Sequence, residues 1–352
     1  MDETLTEAYE RLHHHGPEFG GDEEGNHGLT NHGPMAAEVI VRRGLDIDVQ
    51  RWLDRYIPRL AELPVPGERI TESTWRAALG DGRRVGDWTA YFSRQLAERP
   101  WRQVLETWWP RLLPGIAAGS THGVIRVSHA VRVLSGGEHG PAAVTELGYG
   151  LAFWAARFRT LPGFTAPVGA LPAADALRGV PRLAEQSGLI AHRLSRLADL
   201  PGWSKALAAL RAPTGAADVP ALLADLVDTA TLHYLTHGQG SPVLLVHTAT
   251  APNAVRHVLP ALPEGMWIPS LVAAWAATAA ITAAYSPADP ARPPGVSLGA
   301  DPSAEALDRA ASHYDEHVIK FTDTAVDVFE RTENPDALAA AVRAGQLIDS
   351  PR

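Results

Sequence analysis

Apolar residues recur at helical spacing along almost the whole chain. DVQRWLDRYIPRLAEL (48–63) places Trp52, Leu53, Tyr56, Ile57 and Leu60 on one stripe, and WRQVLETWWPRLLPGI (101–116) groups Leu105, Trp108, Trp109 and Leu112. RLAEQSGLIAHRLSRLADL (182–200), DVPALLADLVDTATLHYLTHG (218–238) and EALDRAASHYDEHVIKFTDTAVDVFERT (305–332) read as helices too. Long alternating patterns are missing. The best strand candidate, GVIRVSHAVRVLS (123–135), fits a strand or a buried helix equally well. MWIPSLVAAWAATAAITAAY (266–285) is apolar all round and about the length of a membrane span. Pro269 and Ser270 interrupt it and alanine dominates it, so it reads as a helix buried in a large all-α core. HHHGPEFGGDEEGNHGLTNHGP (13–34) is too rich in glycine and charge for a helix and reads as a loop. A proline-rich loop is expected over about 286–303. The pattern predicts an all-α protein in which residues 1–352 form a single large multi-helix domain.

The 352 residues suffice for a sizeable core, and 45% hydrophobic with 20% charged is globular composition. A net charge of −9 argues against a nucleic-acid partner. With no cysteine, disulfides, thiolate-bound zinc and cysteine nucleophiles are excluded. The N-terminal MDETLTEAYERL is acidic and amphipathic, without an apolar signal core, which predicts a cytoplasmic protein and no membrane partner. G-x-G-x-x-G, P-loop, G-x-S-x-G and H-E-x-x-H motifs are all absent.

Histidine is the remaining source of chemistry, with fifteen residues. His32 sits just before a helix that Pro34 can open. His122 and His129 are seven apart, about 10 Å of rise on a straight helix; a break near Gly119 or Gly123 would relax that spacing. His233 and His237 are an i, i+4 pair, followed by His247 and His257. His13, His14, His15, His27, His139 and His192, in polar or loop contexts, read as ordinary histidines. Trp101, Trp108 and Trp109 read as core before they read as a substrate box. In HYDEHVIKFTD (313–323), His313, His317 and Lys320 fall at i, i+4, i+7, on one face of a helix. An ammonium in that apolar run is costly. Lys320 therefore either snorkels to water or is not an ammonium.

Four segments in order, GPEFGG…NHGPMAAEVIVRRG, STHGVIRVSHAVR, LVHTATAPNAV and HYDEHVIKFTD, resemble the questin oxidase-like family, whose fungal members open anthraquinone rings in polyketide secondary metabolism. The resemblance covers roughly residues 5–330. It implies a non-haem iron oxygenase or dioxygenase, an oxidoreductase acting with O2 on an aromatic polyketide-like or other apolar cyclic substrate, with C–C cleavage as one outcome. It further implies an interior Fe(II) site bound by four histidines and a carboxylated lysine. Matched position by position, these are His32, His122, His129, His247 and Lys320, with His237 the alternative to His247. Lys320 would carry CO2 as a carbamate, an anionic oxygen ligand that suits oxidised iron. His233, His237, His313, His317, Asp315 and Glu316 would line the pocket or hydrogen-bond the ligands; Asp315 and Glu316 also read as helix-surface charges. Two alternatives stay open. One is a Baeyer-Villiger-type monooxygenase using NADPH. The other is a metal-free or zinc-loaded protein that binds a hydrophobic metabolite.

Overall fold

Helices carry nearly all of the core, because few segments of this chain alternate at period two. The computed structural model describes residues 2–19, 30–137, 140–188, 190–292 and 295–351, and among them the fold is all-α with one two-stranded sheet. His27, His139 and part of the expected 13–34 and 286–303 loops lie outside the described residues. The chain divides into two compact units. Each is assembled from three stretches of chain, interleaved so that no single cut separates them.

The first unit takes residues 1–41, 48–160 and 257–266. It contains α1 (Glu3–Leu12), β1 (His15–Glu18), α2 (Gly33–Arg43, with its last two residues in the other unit), α3 (Val49–Tyr56), β2 (Leu60–Glu62), α4 (Trp75–Ala78), α5 (Val85–Glu98), α6 (Trp101–Leu112), α7 (His122–Ser135) and α8 (Pro141–Ala156). α5 and α7 pack on α8. α7 comes very close: a Cβ on Gly123 would lie 2.6 Å from Cβ of Trp154. The helix expected over 48–63 ends at Tyr56. Pro58 turns the chain, and Leu60–Glu62 pairs antiparallel with His15–Glu18, so the expected loop after α1 begins as a strand. The ambiguous 123–135 segment is helix. Trp108 and Trp109 are fully buried. Trp108 meets Trp75, Trp88, Tyr91 and Phe92 edge-on, an arrangement favoured by the ring quadrupoles, which makes it core.

The second unit takes residues 42–47, 161–256 and 267–352. It contains α9 (Ala173–Arg178), α10 (Ile190–Ser195), α11 (Trp203–Ala209), α12 (Val219–His237), α13 (Pro242–Leu245), α14 (His247–Val258, with its last two residues in the first unit), α15 (Trp267–Tyr285), α16 (Pro302–His313), α17 (Glu316–Thr332) and α18 (Pro335–Leu347). α15 is buried from Ser270 to Tyr285. It is long and apolar enough to cross a membrane, yet it serves as a core helix here. α12 packs on α15, α17 and α18, and α16 packs on α17 and α18. Arg43 donates to Asp323 Oδ1 at 2.7 Å and to Asp327 Oδ1 at 2.5 Å, tying residues 42–47 to α17.

Two expected helices are corrected. Residues 182–188 are not helical, and only Ile190–Ser195, followed by a 3₁₀ turn, is. Gly188, at φ +84°, sits in the left-handed region within the expected helix. The 305–332 helix breaks in two: Tyr314 is left-handed (φ 70°), and Asp315 caps the second half by accepting from the backbone N–H of His317 at 2.8 Å and Val318 at 3.1 Å. His313 therefore does not share a helix face with His317 and Lys320.

Candidate metal centre

In the first unit, His32 precedes α2 and His122 opens α7. Both are buried, and their Nε2 atoms are 2.8 Å apart with the rings edge to face. Each opposite nitrogen is committed. His32 Nδ1 lies 2.8 Å from Glu18 Oε1. Burial would raise the Glu18 carboxyl, but the imidazole of His32, Arg59 and the Tyr56 hydroxyl outweigh it and bring it down to about 2. Glu18 is thus an ionised acceptor, so the hydrogen sits on His32 Nδ1. His122 Nδ1 lies 2.7 Å from the Gly119 carbonyl, which can only accept. With both Nδ1 atoms donating, the two Nε2 atoms face each other across the 2.8 Å gap. A proton shared as an N–H···N hydrogen bond satisfies that contact, and so does a metal ion bound by both nitrogens. Two imidazole nitrogens bound cis to a metal at about 2.1 Å are about 3 Å apart, so the spacing suits a metal.

The local chain is strained to achieve this. Gly119, Ser120 and Thr121 have φ of 55°, 56° and 65°, and the latter two are not glycine. Such residues cost roughly 1–3 kcal/mol each and gather at functional sites. The break brings the Gly119 carbonyl under the His122 ring.

His129 lies seven residues along α7. Its Nδ1 is 2.8 Å from Glu38 Oε2 on α2 and 3.0 Å from Arg132 Nη2. The shorter contact is to an acceptor, which leaves Nε2 as the donor atom for a metal. Between the two histidines, Arg126 makes a paired contact with Glu146 of α8, Nε to Oε1 at 2.5 Å and Nη2 to Oε2 at 2.9 Å. His13 Nε2 also lies 3.1 Å from Glu146, so this loop histidine is tied into the unit's interior. Burial favours the neutral form of Glu146, but Arg126 and His13 overcome it and lower its pKa.

In the second unit, His247 opens α14 with Nδ1 on the Leu244 carbonyl at 3.2 Å, again leaving Nε2 as the lone-pair atom. His317 meets it edge-on, with ring centroids 5.6 Å apart. Ligating atoms of Asp315, Glu316 and His317 lie within 4.8 Å of one another, and all three residues are buried. Asp315 and Glu316 are therefore not surface charges. Burial, then the neighbouring Glu316 charge, raises the Asp315 pKa against two backbone N–H donors. Lys320 is one turn beyond Glu316 on α17. Only 5% of it is exposed and its Nζ is shielded from solvent, so it does not snorkel.

His233 and His237 belong to the end of α12. Their rings stack at 3.8 Å, His233 Nε2 is 2.7 Å from Ser286 Oγ, and His237 Nδ1 meets Thr236 Oγ1 at 2.8 Å. Sequence reading missed Glu18, Glu38, Arg126, Arg132 and Glu146. A signal was available for two of them: Glu38 and Glu146 are lone carboxylates in the apolar runs PMAAEVIV and TELGYGLAFW, where an unpaired charge would be untenable. No family model matches the chain, and no curated protein matches it.

Proposed function

We propose that the chain is a non-haem iron-dependent oxygenase acting with O2 on an aromatic polyketide-like or other apolar cyclic substrate. One observation carries the reading: the buried His32 and His122 Nε2 atoms facing each other at 2.8 Å, with each ring oriented by its own Nδ1 acceptor. This donor set fits iron, since imidazole suits it and Glu18 keeps His32 in the ligating tautomer. The motifs shared with questin oxidase-like chains add His129, His247 and Lys320 as ligands, the lysine as its carbamate. Bound ferrous iron would supply one-electron chemistry toward O2. The chain's own part is to orient the imidazoles with Nε2 inward: Glu18 and Glu38 accept at Nδ1 of His32 and His129, and the Gly119 and Leu244 carbonyls accept at Nδ1 of His122 and His247. The burial of Lys320, with Nζ shielded from solvent, suits a carbamate held inside the protein. A cytoplasmic setting is part of the same reading, and the burial of α15 supports it.

The test is metal content and O2 uptake. Protein grown with iron and without added zinc is expected to carry stoichiometric iron and to consume O2 with a panel of hydroxyanthraquinones in the absence of NADPH. His32→Ala and His122→Ala should each lose the iron, as should Lys320→Arg, whose guanidinium cannot form a carbamate. Full iron occupancy in His32→Ala or His122→Ala would end the reading.

A further inference from the structure

The carboxyl end of α15 gathers basic side chains within the second unit. Hydrogen bonds bring three stretches of chain together there. The Leu183 N–H donates to the Ala283 carbonyl at 2.8 Å, and Gln186 Nε2 donates to the Ser286 carbonyl at 3.1 Å. Arg193 Nη1 donates to the Ala284 carbonyl at 3.2 Å. From α12, His233 Nε2 meets Ser286 Oγ at 2.7 Å, and His237 stacks on the His233 ring at 3.8 Å. Arg182 adjoins Leu183 in this junction, and its charge acts on both imidazoles.

Arg182 has no counter-ion. Its side chain is half-buried, burial alone lowers its pKa, and no carboxylate among the described residues acts on it. Nη1 donates to the Val180 carbonyl, whereas Nη2 has no partner among the described residues and keeps solvent access. The helix end does not claim this cation, because Leu183, Gln186 and Arg193 already serve its carbonyls at Ala283, Ser286 and Ala284. No carboxylate acts on His233 or His237 either. A partly desolvated cation without a partner is costly, and an anion from solution would relieve it.

The imidazole narrows the kind of anion. His237 Nδ1 lies 3.2 Å from the His233 carbonyl, which can only accept, so Nδ1 carries the hydrogen and Nε2 bears a lone pair. His237 Nε2 has no partner among the described residues and is not shielded from solvent. Arg182 thus calls for a negative oxygen, and His237 for a hydroxyl donor. We propose that Arg182 and His237 bind a singly protonated phosphate group, with P–O⁻ on the guanidinium and P–OH donating to His237 Nε2. Such a group loses its second proton near pH 6, so a share of it still carries an O–H at pH 7, and the guanidinium matches its oxygens. Sulfate and carboxylates are anions at pH 7 with no hydrogen to give. The site uses none of the residues assigned to the metal.

The probe is inorganic phosphate, titrated into the full chain by calorimetry at pH 7 and constant ionic strength, with sulfate as the arm lacking the hydroxyl. Saturable phosphate binding at least tenfold tighter than sulfate is expected. His237→Phe keeps a ring to stack on His233 and should remove that preference while leaving sulfate affinity in place. Arg182→Met should abolish both. If Arg182→Met fails to fold, the histidine ring resonances of the wild-type protein decide: phosphate should shift those of His237 and His233 before any other. Phenyl phosphate separates the sources, since binding as tight as phosphate assigns an ester-borne group and exclusion assigns the free ion. No saturable phosphate binding, equal affinity for sulfate, or shifts centred on other histidines would each overturn the proposal.

Discussion

His233 at the end of α12 is held neutral by its surroundings. Burial first, then the charges of His237 and Arg182, pull its pKa down to about 3, while Nε2 meets Ser286 Oγ. In the unfolded chain the same ring titrates near 6.5. The unfolded state thus takes up a proton that the folded state refuses, and stability falls with pH below about 6.5 and levels off near 3. Between pH 7 and pH 5 this group alone should remove about 2 kcal/mol, at about 1.4 kcal/mol per pH unit below its unfolded value. His233→Gln keeps a polar group for Ser286 and removes the titration. Urea unfolding at the two pH values should show the variant losing about 2 kcal/mol less than wild type; equal losses would count against a neutral His233.

At the scale of elements, α7 and α8 are joined by a fully buried ion pair. Arg126→Met would leave Glu146 charged and short of its main partner, and breaking such a pair costs about 3–5 kcal/mol. Arg126→Met/Glu146→Leu removes both charges and should recover most of that loss. Unfolding free energies of the single and double variants check it; a double variant as unstable as the single would refute the desolvation argument. The helices were legible wherever an apolar stripe ran uninterrupted, as over 218–238, because burial of one face decides helix formation there. The break at Tyr314 was harder to read, since a left-handed tyrosine carries no glycine signal. Asp315 before EHVI was the available cue, as an N-cap opening a second helix. Among the ligand candidates, His32 and His122 stood in local motifs and could be found from sequence. The pairing of His129 with Glu38 could not: Glu38 stood out as a lone carboxylate in an apolar run, but the two are 91 residues apart and only tertiary packing brings them together.

For the whole molecule, the interleaved chain path sets what can be removed. Residues 161–352 contain most of the second unit but lack 42–47, so Asp323 would lose both Arg42 and Arg43, and Asp327 would lose Arg43. Asp323 is buried, and without those two guanidiniums its charge loses both of these counter-ions. A fragment of residues 161–352 should therefore show no cooperative thermal transition by circular dichroism, and adding residues 42–47 through a linker should improve it. A fragment that melts as sharply as the full chain would show the short stretch to be dispensable.

The central claim is that His32 and His122 hold a metal through Nε2. X-ray absorption at the iron edge of the iron-loaded protein tests it most directly. The account predicts nitrogen or oxygen scatterers at about 2.1 Å with the multiple-scattering pattern of imidazole, and a reduced imidazole contribution in His122→Ala reconstituted with excess iron. An imidazole pattern that is unchanged in His122→Ala, or absent from the wild-type protein, would contradict it.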